Sequence, residues 1–283
     1  MLCCKALHTA AKLDRTNIVK EVIKHGFDVN NMIDGRTPLH EATDGAQYEA
    51  MQLLLQQDAD PNIVDHNHET VLISAINIGD TEIVAQLLAK GADVNAVGSS
   101  SGTALHETAI HSHIDIVRLL LEHPDIKSNI RTDRGYTPLM VAVRKRSELV
   151  VELLLDYSND ADIQGLHMLK TAPTPLHIAA LSGSVSTVRK LIDRGAPVNA
   201  RLENASCLIP VHLATRRGDL QVLEAMFEAQ VEPDVPDGCG QTAFHFAVGE
   251  GHPHLIPLLK RKGFDIDKPN ADGLRPLGLE FNK

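Results

Sequence analysis

The stretch Thr37–His40 reads "TPLH", and the same four letters return at Thr174–His177. Close variants stand at Thr103–His106 ("TALH"), Thr242–His245 ("TAFH") and Ile209–His212 ("IPVH"). With "KALH" at the N-terminus, six histidines share the last slot: His8, His40, His106, His177, His212 and His245. The first slot runs through Thr37, Thr70, Thr103, Thr137, Thr174, Ile209, Thr242 and Arg275 at intervals of 33 to 37 residues. Self-similarity at such a period marks a repeat array, in which each unit buries its apolar face only against a neighbour. Histidines phased by that period are structural punctuation before they are a catalytic or metal-binding set.

Each unit has the same internal grammar. Thr-Pro starts a helix, because the Thr oxygen accepts from orphan N–H groups and Pro fits the first turn. A short helix ends at a Gly-containing turn, and a second follows with apolar residues at helical spacing, such as Ile83, Val84, Leu87 and Leu88. Gly26, Gly91, Gly195 and Gly263 stand where a left-handed cap is wanted. A turn-forming "ADVNA"-like connection leads on. Helices this short are marginal alone and depend on stacking.

The segments "GRTPLHEA", "GTALHETA", "GYTPLMVA", "TPLHIAALSG" and "LLAKGADVNA" make the chain resemble the ankyrin-repeat proteins over essentially its whole length. The resemblance implies an all-α repeat solenoid of helix–turn–helix units with β-hairpin-like fingers. It also implies that each motif His bonds the Thr three residues before it, and that the array recognises other proteins. The expected organisation is a single domain over 1–283. Its repeats lie at about 1–31, 32–64, 65–97, 98–131, 132–168, 169–203, 204–236 and 237–269, with a partial capping repeat at 270–283. A monomeric, elongated stack is expected.

Several units depart from the pattern. Ile73 and Met140 replace the motif His, which removes a turn hydrogen bond and adds apolar contact. Ile209 replaces the capping Thr, at a cost of about 1 kcal/mol. Extra residues predict a longer finger around Asn159–Thr171, the weakest coupling and the first proteolytic site. Pro257 predicts a kink in the last outer helix.

Composition narrows the function. Aromatics are 3% and Trp is absent, which suits thin layers of Ala, Leu, Ile and Val. Cys3, Cys4, Cys207 and Cys239 show no zinc-ligand or secreted-scaffold spacing, so a cytoplasmic or nuclear location is expected. Neither a secretory leader nor a membrane span is expected. The H-x-H pairs His66/His68, His111/His113 and His252/His254 lack Cys or Glu at ligand spacing, and nucleotide-binding and hydrolase motifs do not occur. A non-enzyme without metal or cofactor is the reading.

The net charge of −10 argues against nucleic acid but is unevenly spread. Residues 127–217 hold 13 Lys/Arg against 8 Asp/Glu, while 1–126 hold 8 against 18. Positions at the end of each first helix place Arg144/Lys145 and Arg216/Arg217 on one face, with Arg134 and Tyr136 on a finger and Lys170 on another. Ile78, Ile110 and His111 extend this face. The expected ligand is a protein partner with an acidic segment carrying apolar side chains, bound along the concave face and finger tips. The runner-up function is a substrate receptor of a ubiquitin ligase, which needs a C-terminal box outside this chain. The family resemblance adds possible hydroxylation of Asn95 and Asn62, which have Leu eight and an acid two residues earlier.

Overall fold

The computed structural model describes residues 2–99, 102–157 and 173–277. The finger expected around Asn159–Thr171, with Lys170, lies outside the described residues. Backbone contacts group into two compact units, Met1–Asp133 and Arg134–Lys283. In the first unit four helix pairs follow one another: α1 (Leu2–Lys12) with α2 (Thr16–Lys24), α3 (Pro38–Asp44) with α4 (Tyr48–Gln56), α5 (Val71–Ile78) with α6 (Thr81–Ala89), and α7 (Ala104–His111) with α8 (Ile114–Leu121). In the second, α9 (Pro138–Lys145) pairs with α10 (Glu148–Tyr157), α11 (Pro175–Ser182) with α12 (Val185–Asp193), and α13 (Pro210–Arg217) with α14 (Leu220–Met226). The last pair is α15 (Ala243–Gly249) with a 3-10 turn (Pro253–Leu255) and α16 (Ile256–Arg261).

The first helix of each pair packs on the first helix of the next within each unit, α1 on α3 and α5 on α7, α9 on α11 and α13 on α15. Alanines at Ala42, Ala75, Ala142, Ala179 and Ala214 are fully buried, and their small size lets these helices approach closely. Second helices contribute branched chains such as Ile83, Leu87, Val150 and Leu191. The described residues thus form an all-α repeat architecture, with isolated bridges Ile33–Arg36 and Val97–Thr103 in the fingers.

The motif histidine does more than hold its own turn. In the sixth repeat the Thr174 hydroxyl donates to His177 Nδ1 (2.8 Å) and accepts from the His177 N–H (3.4 Å). The Thr174 N–H also donates to Nδ1 (3.2 Å), so the ring proton sits on Nε2. Nε2 then donates to Leu208 O in the next repeat at 3.2 Å. The same step links His8 to Arg36 O (2.9 Å), His40 to Glu69 O (3.3 Å), His212 to Val235 O (2.9 Å) and His245 to Leu274 O (3.1 Å). Each ring ties its repeat to the following finger.

The irregular units behave as their residues require. Thr70, without a His partner, leaves its buried hydroxyl unbonded, while Ile73 is fully buried. Ile209 has no oxygen to cap with, but its N–H still donates to His212 Nδ1 (3.3 Å) and its side chain is buried. Pro257 does not kink a helix. The chain begins this element with a 3-10 turn at Pro253 and starts α16 at Ile256, so Pro257 falls in a first turn where no N–H is needed.

Two predictions follow from the hydroxyls and the rings. Thr174→Val should cost about 1–2 kcal/mol, whereas Thr70→Val should lie within about 0.5 kcal/mol of wild type, because only the former breaks made bonds. Urea unfolding of both variants measures the difference, and equal losses would contradict the assignment.

Burial lowers the pKa of His177 and of His212 to about 4 from an ordinary 6.5. The native state therefore binds fewer protons than the unfolded chain between these values. Stability is full above about pH 6.5 and falls as pH drops towards 4, by up to about 3 kcal/mol for each ring. Urea midpoints should fall steadily across this window; a flat profile would contradict the buried neutral rings.

Candidate functional site

The second unit holds a cleft of about 350 Å³ with Arg144 at its edge. Its walls include Tyr136 and Arg144 from the fifth repeat, Ile178 and Leu181 from α11, Leu202 from the finger that closes the sixth repeat, and Leu213 from the seventh. Ile178 and Leu213 are buried and form the floor, whereas Leu181 is 56% exposed at the rim.

Arg144 lies with Cζ 5.0 Å from the Tyr136 ring centroid. A cation over an aromatic face is worth about 0.5–1 kcal/mol at an exposed site, enough to hold the guanidinium near the cleft. Arg134, Arg144 and Lys145 are exposed, and among the described residues they have no ion-pair partner. The other basic pair is engaged. Arg216 Nε lies 3.6 Å from Glu250, and Arg217 donates to Leu181 O (3.1 Å) with Asp219 at 3.6 Å.

Arg217 also explains Gly183. This residue has φ +77°, and a Cβ there would lie 2.5 Å from Arg217 Nε. Glycine serves both the left-handed turn after α11 and the passage of the guanidinium over it. Arg216 and Arg217, expected on the same basic face as Arg144 and Lys145, are exposed, and part of their charge is matched within the chain.

The remaining predicted positions belong to the first unit. Ile78 is exposed at the end of α5, Ile110 is half-buried, and His111 stacks on His113 with ring centroids 5.5 Å apart. His113 packs against Gly79, where a Cβ would meet its ring at 2.7 Å, and burial together with the neighbouring His111 lowers its pKa. His252 and His254 donate to Arg216 O (3.1 Å) and Gly218 O (2.9 Å). These H-x-H pairs therefore pack on the preceding repeat. Among the described residues no group of His, Cys, Asp or Glu is arranged to hold a metal ion, and no helix is long and apolar enough to cross a membrane.

Asn62 and Asn95 each bridge to the following repeat through both amide atoms. Asn62 binds Gly91 O (3.0 Å) and the Asp93 N–H (2.8 Å), and Asn95 binds Asp125 O (2.8 Å) and the Lys127 N–H (2.9 Å). Sequence reading did not find Ile178, Leu202 or Leu213, since apolar residues beside a buried His look like core. Only the recurrence of Ile178 and Leu213 one residue after His177 and His212 hinted at a shared wall.

Comparison with known proteins agrees with this architecture. Family profiles described as ankyrin repeats in three copies match residues 3–65, 44–132, 71–167 and 125–202, and one described as many copies matches 218–260. A fowlpox virus protein named for its ankyrin repeats is 34% identical over 173 residues, covering 61% of this chain and 38% of that protein. The E3 ubiquitin-protein ligase KEG of Arabidopsis thaliana is 29% identical over 90% of this chain and 17% of its own length. The human transient receptor potential cation channel subfamily A member 1 is 27% identical over 96% of this chain and 25% of its own. The chain spans well under half of each of these relatives. With profiles matching in both units and the Thr–His turn repeated in each, the chain belongs to the ankyrin-repeat family.

Proposed function

We propose that the chain, acting as one domain, is a non-catalytic recognition module that binds a partner protein through the Tyr136–Arg144 cleft of its second unit. The ligand is an acidic segment with at least one large apolar side chain. The apolar side chain enters between Ile178, Leu181 and Leu213, and its carboxylates meet Arg134, Arg144 and Lys145. The observation that carries this reading is the apolar cleft lined by Arg144, a cation that has no counter-ion among the described residues. Tyr and Arg next to a desolvated pocket are the residues that commonly dominate binding energy. Ile78, Ile110 and His111 are a separate contact on the first unit. A cytoplasmic or nuclear scaffold is the setting proposed. The ubiquitin-ligase receptor takes second place, supported by likeness to the plant ligase alone.

A synthetic peptide of alternating Glu and Leu residues, labelled for fluorescence anisotropy, tests the cleft. Arg144→Glu with Lys145→Glu should weaken it by on the order of tenfold or more and flatten its salt dependence. Leu181→Ser should weaken binding with little change in salt dependence. Full affinity in the double variant would rule out this cleft; Ile78→Ser reports on the first-unit contact independently. Arg217 is left intact because its bond to Leu181 O supports the local structure.

Hydroxylation of Asn95 and Asn62 is proposed as a modification of the same array. Incubation with an asparaginyl hydroxylase should add one oxygen to the peptide containing Asn95, and an unchanged mass would dismiss the idea.

A further inference from the structure

The fingers of the first unit share a feature that raw sequence spacing obscures. Three residues, Ile33, Asp65 and Gly98, donate their N–H to the carbonyl just before the Thr slot, at Arg36 (2.9 Å), Glu69 (2.8 Å) and Gly102 (2.8 Å). These bonds make the three residues equivalent, although the turn in the second repeat is one residue shorter. The residues immediately before them are Met32, Val64 and Val97. They are 47%, 42% and 49% exposed.

Single exposed apolar side chains are ordinary, but the same finger position is apolar and open in three successive repeats. In the second unit the bonds Leu202 to Leu208, Asp237 to Gln241 and Asn270 to Leu274 place Arg201, Pro236 and Pro269 at this position. The apolar series belongs to the first unit.

Its surroundings are acidic. Residues 27–37, 59–70 and 92–103 hold six carboxylates and one cation, Arg36, which is committed to Glu41, Asp44 and Asp65. An exposed Asp stands four residues before each apolar position: Asp28, Asp60 and Asp93. Each is held by accepting the N–H two residues on, at Asn30 (2.9 Å), Asn62 (2.8 Å) and Asn95 (2.9 Å). Each of these three fingers therefore presents one apolar side chain and one fixed carboxylate.

We infer that the Met32–Val64–Val97 series is a second docking surface, taking a basic segment of a partner protein in an extended polyproline-type conformation. Helix-packed repeats advance by about 10 Å. Three residues of a polyproline helix rise about 9 Å and return to the same face. A segment with an apolar residue at every third position and Lys or Arg between matches both the spacing and the charge. The surface is distinct from the Tyr136–Arg144 cleft, which has the opposite charge preference, so one chain holds two partners of unlike charge.

The probe is a labelled synthetic peptide of repeated Pro-Leu-Lys triplets, with full-length protein and anisotropy as the readout. A peptide of the same composition in scrambled order and one of Pro-Leu-Glu triplets are the controls. Binding should favour Pro-Leu-Lys, weaken with salt, and fall on the order of tenfold in a Met32→Ser, Val64→Ser, Val97→Ser variant of unchanged helical signal. The Arg144→Glu, Lys145→Glu variant should bind this peptide as wild type does, which separates this surface from the proposed cleft. If the triple variant loses helical signal, Val64→Ser alone carries the comparison. No binding of the lysine peptide, equal binding of either control, or unchanged affinity without the apolar series would overturn the proposal.

Discussion

An imidazole that bonds two repeats at once is the constraint that recurs through both units of this structure. Nδ1 closes the helix start within its own repeat, and Nε2 reaches a carbonyl in the finger of the next, as His177 does to Leu208 O. Both bonds require the neutral ring with its proton on Nε2. Burial supplies that condition by disfavouring the charged form, as the lowered pKa values of His40, His177 and His212 show. Helix start and repeat register are thereby set by one residue. Where the ring is absent the stack must rely on packing: Ile73 is fully buried, and Thr70 is left with an unbonded hydroxyl.

The parts of this fold that were legible in sequence are those governed by local chemistry. Thr-Pro at a helix start, glycine after a helix and apolar residues at helical spacing each act within a few residues, so a fixed period exposes them. The Nε2 link was not legible, because the slot identifies the ring but not which carbonyl stacking brings within reach. Pro257 misled for a related reason. Read alone it breaks a helix, but with Pro253 before it the chain moves the helix start instead. Of the candidate site, the exposure of Arg144 and Lys145 was legible by counting from the motif His, while the partners of Arg216 and Arg217 lie in neighbouring repeats and depend on side-chain direction.

Charge on the second unit separates positions that support the stack from positions that do not. On the second helices, Arg189 pairs with Glu228, Lys190 with Glu152 (3.1 Å) and Arg194 with Asp156 (2.5 Å), each across to an adjacent repeat. Exposed pairs of this kind add little to stability because water screens them, but they leave little charge available to a ligand. Arg144, on a first helix, lies over Tyr136 and lines an apolar cleft, and among the described residues neither it nor Lys145 has a carboxylate partner.

Repetition also explains why recognition can vary while the stack stays constant. The Thr, the His and the buried alanines recur because the Thr closes the turn of its own repeat, the His also reaches the next, and the alanines are enclosed. The finger residue before the turn has no such role, and it is Met32, Val64 and Val97 in one unit but Arg201, Pro236 and Pro269 in the other. The end of the first helix is likewise released from the core, carrying Asp44 in one repeat and Arg144 in another. Because neighbouring repeats present these positions side by side, a change in a few exposed residues alters a continuous surface without disturbing the hydrogen bonds that hold it. Binding chemistry in this chain is therefore to be sought where one period differs from the next, and the buried bonds that make the periods alike are what keep those differences in register.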